Sequence, residues 1–390
     1  MYDFDRIIKR TGTNSLKYDF VKERMGRDDL LPLWVADMDF ALPPEVLEPL
    51  QERVAHGIFG YSDPKEPYYK ALSGWYERHH HWSIDRRWNT VVPGVVYGIA
   101  QAILALTKPE DAILIMQPVY YPFSEVIQDN NRKLINSELV FDGEKYHIDF
   151  EDFERKITEH EVKMVLLCNP HNPVGRVWTL EELQRIDEIT RRHNVVVFSD
   201  EIHGDFTFPG YEYTPYATVS EEAAMNAVIG TSPSKTFNIA GLQISNIIIP
   251  NPTLRKAYRH AVAGSGYSQG NTMGLLAGEL VYERGDDWYG ELLTYLDGNL
   301  SFIRDYLRTN LPSLQLVEPE GTYLIWINFK GLGLSDKQLE QLIVDRAHLF
   351  LDAGAIFGAQ SAQFYRFNIA CPRSILQQAF AQLSEAIDSL

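Results

Sequence analysis

The chain has few of the features that mark secreted, membrane or metal-binding proteins. It contains only two cysteines in 390 residues, Cys168 and Cys371, which are too few for a disulfide framework and lack paired metal-binding spacing. We therefore expect both to be reduced and buried. Apolar runs such as residues 244–250 are far shorter than the roughly 20 residues that span a bilayer. The first ten residues lack the apolar core of a signal peptide, so we predict a cytoplasmic protein with no membrane partner.

Basic side chains are also scarce relative to acidic ones. The sequence has 36 lysines and arginines against 53 aspartates and glutamates, which gives a net charge of −17. A charge of this sign repels nucleic-acid phosphates, so we expect no nucleic-acid partner. The 45% hydrophobic content is ordinary for a globular protein, and the length allows one or two domains.

Short β-branched runs alternate with helical patterns through the middle of the chain, which is typical of a parallel sheet flanked by helices. Residues 179–193 begin with Thr179 and carry Glu182 three residues later, so they predict a capped crossover helix. The apolar runs are nearly continuous, which predicts strands buried on both faces. We predict these strands at residues 112–116, 163–169, 194–200, 227–232 and 245–250.

The pattern changes after about residue 288. A long helix over residues 290–312 is predicted, followed by strands within 321–329 and 363–371 and a final helix over 374–390. This order suggests a smaller α+β unit. We therefore predict a large α/β domain at 46–287, and a small domain formed by 1–45 together with 288–390.

Polar residues follow three of the predicted strands at their carboxyl ends, where ligands bind in parallel α/β sheets. Asn172 follows the second strand, Asp200 and His203 follow the third, and Lys235 follows the fourth. Each residue alone has an ordinary explanation, as a turn residue, a helix cap, a satisfied polar group or a surface charge. No metal site is predicted.

Considered together, these residues match the parts of one ligand. A lysine can form a Schiff base with an aldehyde, and a carboxylate can keep a pyridine nitrogen protonated. An amide and an imidazole can hydrogen-bond a phenolic oxygen, while a glycine turn before a helix offers a phosphate seat. Gly94, Ser232 and Ser234 are the candidates for that seat. The ligand with all these parts is pyridoxal 5′-phosphate (PLP).

The sequence resembles the fold-type I PLP enzymes of the aminotransferase superfamily, and within them the MalY/PatB group of cystathionine β-lyases. This resemblance implies a mainly parallel seven-stranded sheet flanked by helices, plus a smaller α+β domain. It extends over essentially the whole chain. The motifs that carry it are "LPLWVADMDF" (31–40), "GIFGYSDP" (57–64), "QPVYYPF" (117–123), "CNPHNPVGRVW" (168–178), "SDEIHGD" (199–205), "SPSKTFNIAGLQ" (232–243) and "FYRFNIACPRS" (364–374).

The resemblance assigns a role to each candidate residue. Lys235 would carry the cofactor covalently and act as the catalytic base, Asp200 would pair with the pyridine nitrogen, and Asn172 and His203 would flank the phenolic oxygen. Arg366 would bind the substrate carboxylate, with Asn172 and Tyr121 nearby. Tyr120 would stack on the cofactor ring. The phosphate would be held by Gly94, the Val95 and Val96 backbone amides, Ser232, Ser234, and Tyr61 from a neighbouring subunit of a homodimer.

The implied function is β-elimination from a cysteine conjugate such as L-cystathionine. Many aminotransferases carry an arginine eight residues after the lysine, whereas this chain has Gln243, which favours the lyase group. Two alternatives stay open: an aminotransferase, and a regulatory protein that retains a PLP site. The proton donor for the departing sulfur is Lys235, Tyr120 or Tyr121, in that order.

Two aromatic or histidine-rich stretches are not assigned to the site. "RHHHW" at 78–82 has three consecutive histidines, which point in different directions on a helix and cannot share a metal, so we predict a solvated helix end. For the tyrosine-rich residues 210–217 two interpretations stay open, a loop that lines a substrate entrance and a loop that packs on its own protein, and the second is the commoner case.

Overall fold

A computed structural model describes residues 2–390, and its central feature is a seven-stranded sheet. The strand order is β2-β10-β9-β8-β7-β3-β4, and β10 alone runs antiparallel to its neighbours. This confirms the mainly parallel seven-stranded sheet. The strands of the molecule are β1 Leu31–Pro32, β2 Asn89–Val92, β3 Ala112–Ile115, β4 Lys133–Asn136, β5 Val140–Phe141, β6 Tyr146–His147, β7 Met164–Cys168, β8 Val196–Asp200, β9 Ala227–Thr231, β10 Ser245–Ile248, β11 Gln315–Val317, β12 Leu324–Asn328, β13 Leu349–Phe350, β14 Asp352–Ala353 and β15 Phe364–Asn368.

Helices cover both faces of this sheet and form much of the second half of the chain. They are α1 Val21–Met25, α2 Pro44–His56, α3 Glu66–His80, α4 Val95–Leu106, α5 Pro122–Asp129, α6 Phe150–Glu159, α7 Leu180–Arg192, α8 Glu221–Met225, α9 Pro233–Thr236, α10 Pro252–Gly264, α11 Thr272–Arg284, α12 Asp286–Asn310, α13 Asp336–Gln341 and α14 Arg373–Asp388. The capping box of α7 is present, with the Thr179 hydroxyl and the Glu182 carboxylate each accepting from the other's backbone N–H.

The two faces of the sheet are buried in two separate apolar clusters, because successive side chains of a strand point to opposite sides. Ile113 and Leu166 belong to the cluster under α4, α5 and α10, whereas their neighbours Leu114 and Val165 belong to the larger cluster on the other face. The near-continuous hydrophobicity of the central strands follows from this double burial.

A second sheet of four antiparallel strands, β11-β12-β15-β14, lies in the C-terminal part of the chain. It packs with α12 through β11 and with α14 through the stacked rings of Phe367 and Phe380, so the predicted α+β character of this region is confirmed. The domain boundaries at residues 45 and 287 stay a prediction.

The N-terminal segment is tied to the C-terminal part of the chain. Strand β1 pairs in parallel with β13, and the Asp39 backbone N–H donates to the Ala370 carbonyl at 3.0 Å. The Asn368 amide donates to the carbonyls of Val35 and Asp37 at 2.7 and 2.6 Å. Residues 31–39 are thus held by contacts with residues more than 300 positions later.

Candidate active site

Lys235 lies at the carboxyl edge of the seven-stranded sheet, in the short helix α9 that follows β9. Its Nζ atom donates to the backbone carbonyl of Ala36 at 2.6 Å. Burial and the nearby Arg366 charge lower the pKa of Lys235 to about 8, against the opposing effects of Asp37 and Asp200. The amine therefore loses its proton much more readily than an exposed lysine, as a nucleophile or base must.

Asp200 is the last residue of β8 and is buried beside Lys235. Its Oδ1 atom accepts from the Ile202 backbone N–H at 3.2 Å. Burial raises the pKa of Asp200 to about 7, although that N–H and the Lys235 charge act in the opposite direction. The carboxylate would be stabilised by a cationic N–H placed against it.

His203 follows Asp200 by one turn and is 3% exposed. Burial lowers its pKa well below the ordinary value, with Lys235 and Arg366 adding to the effect, so the ring is neutral. Its Nδ1 atom is buried and makes no hydrogen bond with any residue in 2–390. A buried polar atom without a partner is uncommon, and this one is suited to a polar ligand.

Arg366 of β15 reaches the same edge from the four-stranded sheet. It donates to the Asn172 side-chain oxygen at 3.0 Å and to the Trp34 carbonyl at 2.9 Å, and it forms an ion pair with Asp352. These bonds use three of the five guanidinium N–H groups and orient the fork without exhausting it. Arg366 can therefore bind a carboxylate in addition.

Tyr120 and Tyr121 follow β3 at the same edge, with ring centroids 5.7 Å apart. Burial raises the pKa of both phenols, and Asp200 contributes at Tyr120 while Asp352 contributes at Tyr121. Both tyrosines are therefore neutral at physiological pH and lie within electrostatic range of the site carboxylates.

The turn before α4 is the candidate phosphate seat. Gly94 adopts an extended conformation as the N-cap of this twelve-residue helix, and the N–H groups of Val95 and Val96 belong to its first turn, where no intrahelical acceptor exists. A Cβ atom at Gly94 would meet no atom within 4 Å, so there is open space beside Gly94 at the start of this helix. An anion is well suited to this position.

The two serines beside Lys235 are already bonded within the chain. The Ser232 hydroxyl accepts from the Ser234 backbone N–H at 3.0 Å and approaches the Ile244 carbonyl at 2.7 Å. The Ser234 hydroxyl lies 2.8 Å from that of Ser232. The two hydroxyls thus form hydrogen bonds at the start of α9. Their contact with a phosphate stays a prediction.

Tyr61 differs from the other candidates in its exposure within the chain. It is 95% exposed, in a segment where Ile58 and Phe59 are also more than half exposed. The segment is attached to the start of α11 through Ser62, whose hydroxyl lies 2.8 Å from that of Thr272. The other predicted residues converge at one sheet edge, whereas Tyr61 faces away from its own molecule.

Sequence reasoning missed two further contributors to the site. The Tyr323 hydroxyl donates to the Ala36 carbonyl at 2.9 Å, so this carbonyl receives both Tyr323 and Lys235. Tyr323 is fully buried and its ring packs edge-on against His203. Its position within an ordinary apolar strand pattern gives no signal of this role, and Asp352 is hidden in the same way.

Three further observations concern residues 2–390 as a whole. No group of three or more His, Cys, Asp or Glu side chains is arranged to hold a metal ion in this range. Over the same residues, no helix combines the length and apolarity needed to cross a membrane. Cys168 and Cys371 are free and buried, as expected.

Comparisons with known proteins agree with this geometry. The chain is 38% identical over 99% of its length to the whole of cystathionine β-lyase PatB from Bacillus subtilis. The crystal structure of cystalysin from Treponema denticola, which contains a pyridoxal 5′-phosphate cofactor, superposes with a TM-score of 0.96 at 37% identity, covering 100% of this chain and 99% of that one. A PLP-bound C–S lyase from Staphylococcus hominis superposes at 0.92 with 30% identity, covering 99% and 98%. The model of the class I and II aminotransferases matches residues 28–383, and the chain therefore belongs to this family.

Proposed function

We propose that this protein is a PLP-dependent carbon–sulfur β-lyase that cleaves L-cystathionine or a related cysteine conjugate to a thiol, pyruvate and ammonia. The observation that carries the proposal is the convergence of Lys235, Asp200, His203 and Arg366 at one sheet edge. The relatedness to cystathionine β-lyase PatB and to the C–S lyase from Staphylococcus hominis supports the choice of reaction.

The side chains at this edge fit PLP. Lys235 would anchor the aldehyde carbon, Asp200 would accept the pyridine N–H, and the unpartnered His203 nitrogen and Asn172 would face the phenolic oxygen. The first turn of α4 would hold the phosphate. When bound, PLP withdraws electrons from the substrate's α-carbon and so stabilises negative charge there.

The chain's own residues then account for substrate binding and proton transfer. Arg366 would bind the amino-acid carboxylate through its remaining N–H groups, and its bond to Asn172 keeps the guanidinium oriented. The Lys235 amine would remove the α-proton, because its pKa of about 8 allows a neutral amine at physiological pH. The C–S bond would then break with the thiolate leaving from the β-carbon, and reaction of the remaining fragment with water would give pyruvate and ammonia.

The departing thiolate needs a proton, and Lys235 is the first candidate because it has just acquired one. Tyr120 and Tyr121 follow in that order. Burial raises the pKa of both phenols, so they hold their protons more tightly than an exposed tyrosine. This favours the Lys235 ammonium as the donor.

Transamination is the main competing activity, because the family as a whole is that of the class I and II aminotransferases. It shares proton removal by Lys235 but returns the proton to the cofactor instead of releasing a thiol. A role as a regulatory protein that retains the PLP site is less favoured, since the amine, carboxylate and guanidinium required for catalysis are all present.

The active unit is proposed to be a cytoplasmic homodimer with shared sites. Exposure of Tyr61, Phe59 and Ile58 on one segment leaves an apolar surface that a second copy would cover. Tyr61 would then contribute its hydroxyl to the partner's phosphate seat.

The test is a pair of assays on the purified protein. The lyase predicts a visible absorbance band that disappears in Lys235→Ala, together with pyruvate release from L-cystathionine without an added keto acid. Product formation that requires a keto acid would identify an aminotransferase instead. Absence of the band from the PLP-treated wild-type chain would contradict the cofactor assignment.

A further inference from the structure

The buried carboxylate of Asp205, which the proposed reaction does not use, connects helices α3 and α9 to the turn that follows β8. Asp205 is 6% exposed. Its Oδ1 atom accepts from the Trp75 indole N–H at 3.0 Å and lies 2.7 Å from His80 Nε2, while its Oδ2 atom accepts from the Thr236 hydroxyl. Since an ionised carboxylate only accepts, the histidine nitrogen facing it must donate.

The two ends of this cluster adjoin the residues proposed to contact the cofactor. Thr236 immediately follows Lys235 in α9, and Asp205 stands two residues after His203. The backbone of Asp205 is fixed as well, because its carbonyl accepts from the Tyr289 hydroxyl at 2.5 Å. Asp205 therefore joins the turn that bears His203 to the helix that bears Lys235.

Asp205 keeps its negative charge in this setting. Burial alone would raise its pKa, but the bonds from His80, Thr236 and Trp75 outweigh burial and lower it. The other titratable groups that face it are phenols whose pKa is raised by burial, so they stay neutral. These phenols are Tyr76, Tyr213, Tyr282 and Tyr289.

The cluster also gives the histidine run a role that the sequence did not reveal. The prediction of a solvated helix end is wrong for His79 and His80, which lie in the last turn of α3 with less than a quarter of their side chains exposed. His80 is hydrogen-bonded to Asp205. His79 is hydrogen-bonded to Asp286 at 2.5 Å, and its ring packs against that of Trp75. Adjacent histidines thus serve different partners.

We propose that Asp205, held by His80, is a positioning residue for Lys235: through the Thr236 hydroxyl it fixes α9, and with it the amine, relative to the turn that carries His203. This proposal rests on the proposed function, since it concerns how the amine meets the cofactor aldehyde. A displacement of the amine by about 1 Å costs roughly a hundredfold in such a reaction.

The first test compares two substitutions of the linking hydroxyl. Thr236→Val keeps the shape of the side chain but cannot donate to Asp205, whereas Thr236→Ser can. We expect the rate at which the cofactor-free full-length chain captures PLP, followed by visible absorbance, to fall roughly tenfold in Thr236→Val and to stay within about twofold of wild type in Thr236→Ser. Acetylation of Lys235 by acetic anhydride, mapped by mass spectrometry from pH 6 to 10, provides a readout independent of the cofactor.

The second test uses the two histidines as a matched pair. His80→Phe preserves an aromatic ring beside Tyr213 but removes the bond to Asp205, and His79→Phe removes only the bond to Asp286. We expect slower capture and an altered Lys235 acetylation profile in His80→Phe only. Thermal denaturation of each variant shows whether a change follows from lost stability.

The outcomes separate this proposal from the proposed function. Wild-type rates of PLP capture in both Thr236→Val and His80→Phe would overturn the proposal that Asp205 positions Lys235. So would capture that is as slow in Thr236→Ser as in Thr236→Val, or as slow in His79→Phe as in His80→Phe. If the wild-type chain itself forms no absorbance band with PLP, the proposed function fails first. In that case the acetylation profiles still test whether Asp205 positions Lys235.

Discussion

At the scale of single residues, the site contains ionisable groups held away from their ordinary pKa values, and Lys235 gives the most direct prediction. Its pKa is lowered from the ordinary lysine value of 10.5 to about 8. Capture of PLP by the cofactor-free chain should therefore accelerate as the pH rises through about 8 and then level off. Initial rates of absorbance change between pH 6 and 10 measure this, and a midpoint near 10.5 would contradict the burial argument.

Asp200 gives a prediction about stability: its replacement should stabilise the folded chain although it should impair catalysis. Its pKa is raised to about 7 in the folded chain, so ionisation at higher pH opposes folding. Asp200→Asn should stabilise the cofactor-free chain by ~2 to 4 kcal/mol above pH 7, with the gain shrinking as the pH falls from about 7 toward 4. Urea denaturation at several pH values measures this, and the same variant should lose most of its lyase activity. A gain independent of pH would contradict the pKa assignment.

Arg366 tests how the substrate is held. Arg366→Lys keeps a positive charge near Asp352 but loses the planar fork. We expect the KM for L-cystathionine to rise roughly tenfold to a hundredfold, because a charge-assisted hydrogen bond is lost. Steady-state kinetics measure the change, and an unaltered KM would mean that another group binds the carboxylate.

At the scale of elements, the first turn of α4 is the feature to test. Gly94 has an extended backbone that any residue can adopt, and a Cβ there would meet no atom of this chain within 4 Å. Gly94→Ala should therefore leave the melting temperature of the cofactor-free chain unchanged while weakening PLP binding roughly tenfold, because the methyl group would occupy open space at the start of α4, where the phosphate is proposed to bind. Equilibrium titration measures the affinity, and an unchanged Kd would show that the phosphate binds elsewhere.

The elements also show where sequence patterns were sufficient. The five strands predicted for the seven-stranded sheet and helix α7 were found within a few residues, because double-sided burial and a capping box leave local signals. Strands β2 and β4 were missed, since each contains an apolar run of only two residues, too short to stand out as a buried strand. The contacts of His80, Tyr323 and Asp352 join distant parts of the chain, and no local pattern encodes such pairings.

At the scale of the whole molecule, the exposed Tyr61 predicts that each active site is completed by a second copy. Lys235→Ala and Tyr61→Ala should each be inactive or severely impaired as homodimers. A hybrid of the two contains one site in which both residues are intact, so co-expression should recover roughly a quarter of the wild-type activity. Activity of mixed subunits measures this, and recovery no greater than the sum of the two single variants would place Tyr61 outside the partner's site.

The attachment of residues 31–39 to the C-terminal part of the chain has a consequence for how the protein is made. The carbonyl that receives Lys235 belongs to a segment whose anchoring partners, Asn368 and Ala370, lie more than 300 positions later in the chain. The surroundings of the lysine are therefore completed only after residues 368–370 have been synthesised, and residues 31–39 lack these contacts until then. A chain truncated before residue 368 would lack these anchors, so we expect a competent cofactor site to form only after residues 368–370 have left the ribosome.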